Sequence, residues 1–318
     1  MDTSLDLICI GTSLVDSIIR GFDPEPVSAS GYRAQSGSLA VGGEAVNESM
    51  AAVKLGLRAG IFCFLGEDAA GDLVMSALER AGVDTSRVLR SADRPTPVTT
   101  IFVNADGTRK SITNGAHRAS FHPERFPERA SDARAVMLGS LFRAPFDDPG
   151  AVLEVVKDAK ERGRLVFADT KLPNFRKLTL EDYRESLPYI DYITPNEDEA
   201  RFCTGLSEPE AMADAFLRCG AKNVVIKLGA QGCYFKNACE SHRIPACDVA
   251  AVDATGAGDN FLAGFAAEIL RGASHREALR FANACGALCA AAVGAAAGLK
   301  SRAQVLELLE RESAAGEM

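Results

Sequence analysis

Nine residues organise this chain: Asp253-Ala254-Thr255-Gly256-Ala257-Gly258-Asp259-Asn260-Phe261. The small residues from Gly256 to Gly258 let the backbone turn sharply and approach a ligand closely. The apolar run that follows, from Phe261 to Leu270, predicts a buried helix. Because the first amides of a helix lack intrahelical acceptors and its dipole is positive at that end, this junction predicts an anion site, above all for phosphate.

Asp259 is the residue in this segment that an anion site does not explain, because its charge would repel the anion. The residues alone leave two explanations open. Asp is favoured at helix starts, so the first is helix capping. The second is general base catalysis, in which Asp259 accepts a proton from a hydroxyl while the amides hold the phosphoryl group that this hydroxyl attacks.

The composition excludes several classes of protein. The 318 residues are 47% hydrophobic and 25% charged, which suits a large globular core. The net charge is −8, with no Trp and no run of Lys or Arg, so we expect no nucleic-acid surface. We also expect no membrane segment and no signal peptide. Nine scattered cysteines without a CxxC pair, and only four histidines, indicate a reduced, cytoplasmic protein without a zinc site.

Apolar segments alternate with helical patterns along most of the chain. The predicted strands are 5–11, 60–65, 135–138, 165–168, 192–194, 223–226 and 233–235. The predicted helices are 48–55, 69–81, 148–162, 196–204, 208–219, 259–271, 274–291 and 301–311. Such alternation predicts a mostly parallel central sheet with helices on both faces, and thus the α/β class. We expect a single domain spanning residues 1–318.

Two segments, about 12–41 and 97–115, interrupt this alternation. Residues 35–41 predict a thin, exposed strand. The segments 98–103 and 109–113 flank Asn104-Ala105-Asp106-Gly107, which is a hairpin signal. Together they predict a small secondary sheet that projects from the main domain.

Polar or glycine clusters follow several predicted strands, where ligands of α/β proteins collect. Gly42-Gly43 precedes a helix, as a turn or as a close approach to a ligand. Asn196 and Glu199 fit either a capping box or contacts with phosphate and the waters of a Mg²⁺ ion. Residues 227–232 are either a tight turn or a loop against a nucleotide. The chain contains neither GxxxxGK[ST] nor GxGxxG after the first strand, which excludes a Walker site and disfavours a dinucleotide enzyme.

These motifs make the chain similar to the PfkB (ribokinase-like) family of carbohydrate kinases. Four of them stand in the family's order: Gly42-Gly43-Glu44-Ala45-Val46-Asn47 through Leu65 to Gly71, Asn196 with Glu199, Leu228 with Gly229 and Gly232, and the segment Asp253 to Phe261. The resemblance implies a ribokinase-like three-layer α/β/α fold with a small β-sheet lid. It also implies ATP-dependent phosphorylation of a hydroxyl of a small sugar or sugar acid, and a homodimer formed through the lid.

The resemblance further implies a role for each motif. Asp259 would be the catalytic base, and the amides of Gly256, Ala257 and Gly258 would form the anion hole. The sugar would be bound by Asp16, Gly42, Gly43 and Asn47. The nucleotide would contact Asn196, Lys227, Gly229, Gly232 and Asn283. Glu199 would bind Mg²⁺ through water, and Asp253 with Thr255 would bind a monovalent cation such as K⁺.

The chain departs from the family pattern at a predicted nucleotide contact and at a segment after a strand, and the second departure leaves the substrate open. Lys227 stands where many relatives carry Thr or Ser, and the segment from Asp169 to Arg176 replaces an Asp-x-Asn-x-Arg segment of fructokinase-like and ketodeoxygluconate-kinase-like members. A nucleoside is the alternative substrate, with Tyr32 and Phe102 as candidates for contact with a base. A non-catalytic sugar-binding protein is a third hypothesis, which the carboxylate of Asp259 at a phosphate site disfavours.

Overall fold

The computed structural model of the protein describes residues 4–21, 34–104, 108–114, 133–174 and 176–316. Its strands are β1 (Leu5–Ile10), β2 (Leu14–Arg20), β3 (Ser36–Gly42), β4 (Ala59–Phe62), β5 (Phe64–Gly66), β6 (Leu89–Ser91), β7 (Val98–Val103), β8 (Arg109–Thr113), β9 (Ala133–Leu141), β10 (Leu165–Thr170), β11 (Tyr192–Ile193), β12 (Asn223–Lys227), β13 (Cys233–Asn237) and β14 (Ser241–Ile244). Its helices are α1 (Glu44–Lys54), α2 (Ala69–Ala81), α3 (Pro149–Glu161), α4 (Glu197–Thr204), α5 (Pro209–Arg218), α6 (Ala257–Leu270), α7 (His275–Ala290) and α8 (Arg302–Gly316).

An eight-stranded sheet lies at the centre, in the order β14-β13-β12-β11-β10-β9-β1-β4. The strands from β12 to β4 are parallel, and β13 and β14 extend the sheet as an antiparallel hairpin. Side chains of each strand alternate between two hydrophobic cores, as the pleat requires. Leu7 and Cys9 of β1 belong to the core that includes α1, α2, α6 and α7. Ile8 and Ile10 belong to the core that includes α3 and α5. The predicted three-layer α/β fold is confirmed.

Local signals define the ends of the best-predicted helices. Asp68 caps α2 by accepting a hydrogen bond from the Gly71 amide at 2.8 Å, and Gly82 ends it with φ of 82°. Ser274 and Glu277 form a capping box at the start of α7. Among the helices that the structure describes, none is long and apolar enough to cross a membrane.

The segments that interrupt the alternation form a second sheet of four strands, in the order β3-β2-β7-β8. Asp16 of β2 lies beside Thr99 of β7, and both face the carboxyl edge of the central sheet. The opposite face carries Leu39, which is 66% exposed, and Ile112, which is 68% exposed. We call this opposite face the outer face of the small sheet. Residues 22–33, 105–107 and 115, which belong to the predicted lid segments, lie outside the described residues.

Sequence reasoning missed three strands and misplaced the bounds of two further elements. Strands β2, β6 and β14 carry no strong pattern of their own and were not predicted. The single strand predicted over 60–65 is interrupted at Cys63, so that β4 joins the central sheet while β5 pairs with β6. Helix α1 begins at Glu44 rather than near Glu48, because Gly43 adopts a φ of 101° that lets the chain turn directly into the helix.

Candidate active site

A cleft of about 690 Å³ lies between the carboxyl edge of the central sheet and the inner face of the small sheet. Parallel strands bring their carboxyl ends to one edge, and this is where the predicted site residues meet. All of them except Gly232 and Asp253 line the cleft: Asp16, Gly42, Gly43, Asn47, Asn196, Glu199, Lys227, Gly229, Thr255, Gly256, Ala257, Gly258, Asp259 and Asn283.

Helix α6 points its N-terminus into the cleft. Gly256 precedes it with a left-handed φ of 77°, and a Cβ at this position would collide with Ala295. Only glycine adopts this conformation in this space without strain. The Ala257 amide donates to the Ala254 carbonyl at 3.2 Å, so its predicted place in an anion hole requires it to share that hydrogen. The helix start otherwise has the geometry that favours an anion.

Asp259 lies in the first turn of α6, where the Asn47 side-chain amide donates to its Oδ2 at 2.7 Å. This bond joins α6 to α1 across the cleft. Burial raises the pKa of Asp259 to about 6, the Lys171 ammonium opposes that shift, and the Glu44 carboxylate adds to it. A carboxylate of this pKa is ionised at neutral pH and accepts a proton more readily than an ordinary Asp.

The end of the cleft at α1 is built by two glycines and an aspartate. A Cβ on Gly42 would lie 2.5 Å from Oδ2 of Asp16, so glycine leaves room for that carboxylate. Burial, together with the charge of Glu44, raises the pKa of Asp16 to about 6. Gly43 brings the start of α1 against the Thr12 carbonyl, where a Cβ would collide. The four predicted sugar-binding residues therefore lie around one end of the cleft, which we call the sugar end.

The sugar end also contains an ion pair that sequence reasoning did not assign. Lys171, which directly follows β10, contacts the carboxylate of Glu44, and the Thr12 hydroxyl donates to the same carboxylate. Burial alone would raise the pKa of Glu44, but Lys171 outweighs it and the pKa is lowered. Glu44 follows the glycine pair and Lys171 follows a strand, so the rule that found the other clusters could have found both.

At the other end of the cleft, Asn196 and Glu199 form a capping box at the start of α4. The Glu199 amide donates to the Asn196 side chain at 2.9 Å, and the Asn196 amide donates to the Glu199 carboxylate at 2.9 Å. The Thr170 hydroxyl donates to the same carboxylate oxygen at 2.8 Å. Burial and the nearby Asp169 carboxylate raise the pKa of Glu199. The capping role is present, and both side chains nevertheless line the cleft.

A second buried ion pair, Lys227 with Asp169, lies beside the start of α6. Lys227 Nζ is 2.7 and 2.6 Å from the two oxygens of Asp169, whose Oδ1 also accepts from the Thr194 hydroxyl at 3.1 Å. A Cβ on Gly258 would lie 3.2 Å from Lys227 Nζ, so this ammonium sits next to the predicted anion hole. Burial would lower the pKa of Lys227, but the carboxylates of Asp169 and Glu199 raise it.

The remaining predicted residues take different positions. Asn283 donates to the Pro245 carbonyl at 2.9 Å and lines the cleft beyond Gly229. Gly232, with φ of 87°, faces the backbone of Ile244, so its place is in the turn before β13. The Asp253 carboxylate accepts hydrogen bonds from the Thr255 hydroxyl at 2.6 Å and from the Gly294 amide at 3.0 Å. It ties together two loops behind the anion site.

Comparisons with known proteins agree with this geometry. The model of the pfkB family carbohydrate kinase matches residues 5–302, a range that includes every residue of the cleft. The chain is 30% identical over 321 residues to a ribokinase of Arabidopsis thaliana, which covers 96% of this chain and 81% of that protein. It is 29% identical over 290 residues to the 2-dehydro-3-deoxygluconokinase of Bacillus subtilis, covering 86% and 88% of the two chains. The structure of an Arabidopsis thaliana ribokinase complexed with ribose and ATP matches with a TM-score of 0.83 and 28% identity, over 97% of this chain and 99% of that chain.

Proposed function

The chain belongs to the pfkB family of carbohydrate kinases, and from this we propose that it transfers a phosphoryl group from ATP to a hydroxyl of a small sugar or sugar acid. The observation that carries the proposal is the position of Asp259. Its carboxylate lies at the N-terminus of α6, bonded to Asn47, inside a cleft large enough for both substrates. A carboxylate at a helix start that otherwise suits an anion has a reason to be there if it removes a proton from the attacking hydroxyl.

In the proposed reaction, Asp259 accepts the proton of the hydroxyl while the amides of Gly256, Ala257 and Gly258 stabilise the transferred group. Asp16 and Asn47, with the backbone at Gly42 and Gly43, orient the sugar. Phosphoryl transfer passes through a loose transition state, so positioning and charge neutralisation supply most of the rate enhancement. Lys227 is placed to neutralise charge beside the anion hole. Lid closure by the small sheet would exclude water.

We assign the nucleotide to the other end of the cleft, along Asn196, Lys227, Gly229 and Asn283, with Gly232 shaping the turn. Mg²⁺ would be held through water by Glu199, with Asp169 nearby. No cluster of three or more metal-binding side chains occurs in the part of the chain that the structure describes. One or two carboxylates suit Mg²⁺, because this ion keeps several waters as its other ligands. Asp253 and Thr255 are the proposed ligands of a monovalent cation.

The small sheet supports the proposal of a homodimer. Its outer face exposes Leu39 and Ile112, and exposed apolar side chains on one sheet face favour contact with another protein surface. A cytoplasmic location is proposed because all nine cysteines are free, as in proteins of reducing compartments.

Phe102, one candidate for contact with a nucleoside base, lies on the outer face, since Thr99 of the same strand faces the cleft. Tyr32, the other, lies outside the described residues. A neutral or acidic sugar therefore remains the preferred substrate.

The proposal is tested by ADP release with MgATP across pentoses, hexoses, sugar acids and nucleosides, with and without K⁺. We expect Asp259→Asn to lower kcat by about 10²- to 10⁴-fold, the usual contribution of a positioned base, and to leave sugar binding largely intact. Asp16→Asn is the matched control, since Asp16 lies in the same cleft, and it should act mainly on KM. Equal loss of kcat and sugar affinity in Asp259→Asn would instead assign Asp259 a capping role.

The dependence of turnover on pH is a second test of Asp259 as the base. Since the base must be ionised and the pKa of Asp259 is raised to about 6, turnover should fall as pH drops below about 6 rather than below 4. The decline approaches about tenfold per pH unit. Asp16 has a pKa of about 6 as well, so the limb that survives in Asp16→Asn is the one that belongs to Asp259.

A further inference from the structure

Arg143 is a cleft residue to which the proposed reaction gives no role. It follows β9 by two residues, and the Lys171 amide donates to the Leu141 carbonyl at 2.9 Å, which joins the ends of β9 and β10. The chain therefore leaves these two neighbouring strands side by side, close to Lys171 of the sugar end, and both Arg143 and Lys171 line the cleft. The backbone around Arg143 is held by hydrogen bonds, from its amide to the Ser140 carbonyl at 3.3 Å and from the Phe146 amide to its carbonyl at 2.7 Å.

Arg143 differs from the other two cations of the cleft in having no carboxylate partner among the residues that the structure describes. Lys171 contacts Glu44, and Lys227 contacts Asp169. The guanidinium of Arg143 forms no ion pair and no hydrogen bond with any described residue, and its Nε is buried without a hydrogen-bond partner. A buried donor without a partner carries a desolvation cost, which a ligand that accepts its hydrogen bond would remove.

The backbone before Arg143 is strained. Phe142 has a φ of 72°, and it is the only non-glycine residue with a positive φ in the part of the chain that the structure describes. A bulky residue in this region is uncommon, and such strain persists where the surroundings impose it, often at binding sites. The Phe142 side chain is buried and packs edge-on against Tyr183 at 4.7 Å between ring centroids. This anchor directs the following residue, Arg143, toward the cleft.

We propose that Arg143 binds the carboxylate of the substrate, so that the enzyme is specific for sugar acids over neutral sugars. The inference rests on the proposed function and names its substrate class. A guanidinium binds a carboxylate through two parallel hydrogen bonds, and a neutral sugar would leave its charge uncompensated. A single negative charge matches the one cleft cation that forms no ion pair with the residues the structure describes. A doubly charged phosphate would add repulsion from Asp16 and Asp259 at the same end of the cleft.

The experiment compares kcat/KM for gluconate and 2-dehydro-3-deoxygluconate with ribose and fructose, and with ribose 1-phosphate. The variants are Arg143→Met, Arg143→Lys and Arg176→Met. Arg176 is the matched control, because it is exposed, binds the Asp147 carbonyl at 2.6 Å and lies outside the cleft. Arg143→Met should lower kcat/KM for a sugar acid by about 10- to 100-fold. It should leave residual turnover of neutral sugars within about threefold, Arg143→Lys should be intermediate, and Arg176→Met should resemble the wild type.

The two proposals fail in distinguishable ways. Turnover of neutral sugars or sugar phosphates in preference to sugar acids would leave the kinase standing and overturn the role of Arg143. Equal losses on acidic and neutral sugars in Arg143→Met would also overturn it, since they indicate a structural role. If no sugar is phosphorylated, the proposed function fails. Calorimetric titration of gluconate and 2-dehydro-3-deoxygluconate into wild type and Arg143→Met then decides the inference, which absent or unchanged binding would overturn.

Discussion

Two lysine–carboxylate pairs flank Asp259, and their surroundings differ. At the sugar end, Glu44 stands in the first turn of α1, is bonded to Thr12, and pairs with a Lys171 side chain that is 34% exposed. At the other end of the cleft, where we propose that the nucleotide binds, the Lys227 side chain is 12% exposed and pairs with Asp169 beside Gly258. The first pair neutralises a carboxylate at the helix start, while the second holds an ammonium next to Gly258 of the proposed anion hole. Both pairs join a lysine to a carboxylate, so the different roles that we propose for them come from their positions in the cleft.

A third carboxylate shows what happens without a cation. Glu48 lies one turn after Glu44 on α1, is fully buried, and neither of its oxygens has a hydrogen-bond partner among the described residues. Burial raises its pKa well above the ordinary value, and the charges of Asp259 and Asp169 add to the shift. Such surroundings favour the protonated form of the carboxyl group over the ionised form.

Among changes to these three carboxylates and their cations, removal of the Lys227 ammonium should have the largest effect. Lys227→Met should lower kcat by about 10²- to 10³-fold, as the loss of one transition-state donor does elsewhere. Lys236→Met is the control, since Lys236 pairs with Glu210 at 3.1 Å and Asp214 at 2.8 Å outside the cleft. The double variant Lys227→Met with Asp169→Asn separates the proposed phosphate contact of Lys227 from its pairing with Asp169. If the double variant recovers turnover, the loss came from an unpaired Asp169 and the proposed phosphate contact is wrong.

The pair at the sugar end should respond mainly in stability and KM. Lys171→Met leaves Glu44 without its cation, and we expect a loss of about 1–3 kcal/mol of unfolding free energy, reduced from the fully buried case because Lys171 is partly exposed. KM for the sugar should rise by about tenfold, with kcat less affected. Denaturant unfolding and initial rates measure both. Glu44→Gln in the Lys171→Met background should restore stability, and Lys222→Met, which removes a partner of Asp191 at 3.0 Å, is the control. A large fall in kcat with KM unchanged would contradict this division of roles.

The smallest effect on turnover is expected at Glu48. Because a protonated Glu48 places no charge near Asp259, Glu48→Gln should change kcat by less than about threefold at neutral pH. Its effect on stability should depend on pH. A pKa raised in the folded state means that wild-type stability is lost as pH rises above the ordinary Glu value, by up to about 1.4 kcal/mol per pH unit. Gln cannot ionise, so the unfolding free energy of Glu48→Gln relative to that of the wild type should increase with pH. A constant difference between pH 4 and 8 would show that Glu48 is ionised.

Local signals made much of the fold predictable. Helix α2 was predicted with its bounds because Asp68 and Gly82 cap it from within the same segment. Strands with continuous apolar runs, such as β1, were found for a similar reason. Strand β2 was missed because its partners, β3 and β7, are distant in sequence and its own pattern is weak. The break at Cys63 is likewise set by β6, with which β5 pairs.

In the candidate site, too, local features were predictable from the sequence and contacts between distant segments were not. The glycines and carboxylates of the motifs could be named from the chain, because a turn into a helix requires those residue types at fixed spacing. The partners of these residues could not. Asn47 reaches Asp259 across 212 positions, and Lys171 reaches Glu44 across 127 positions.

By itself the sequence determined the order of the helices and of most strands of the central sheet, the glycine turns at α1 and α6, and the identity of the proposed base. Only the tertiary structure decided which carboxylates acquire a cation, which have a raised pKa, and that Arg143 lies in the cleft without a partner among the described residues. The physical reason is the range of the interactions. Backbone conformation and capping are local and can be read from neighbouring residues, whereas burial and charge pairing depend on segments that meet only when the sheet assembles.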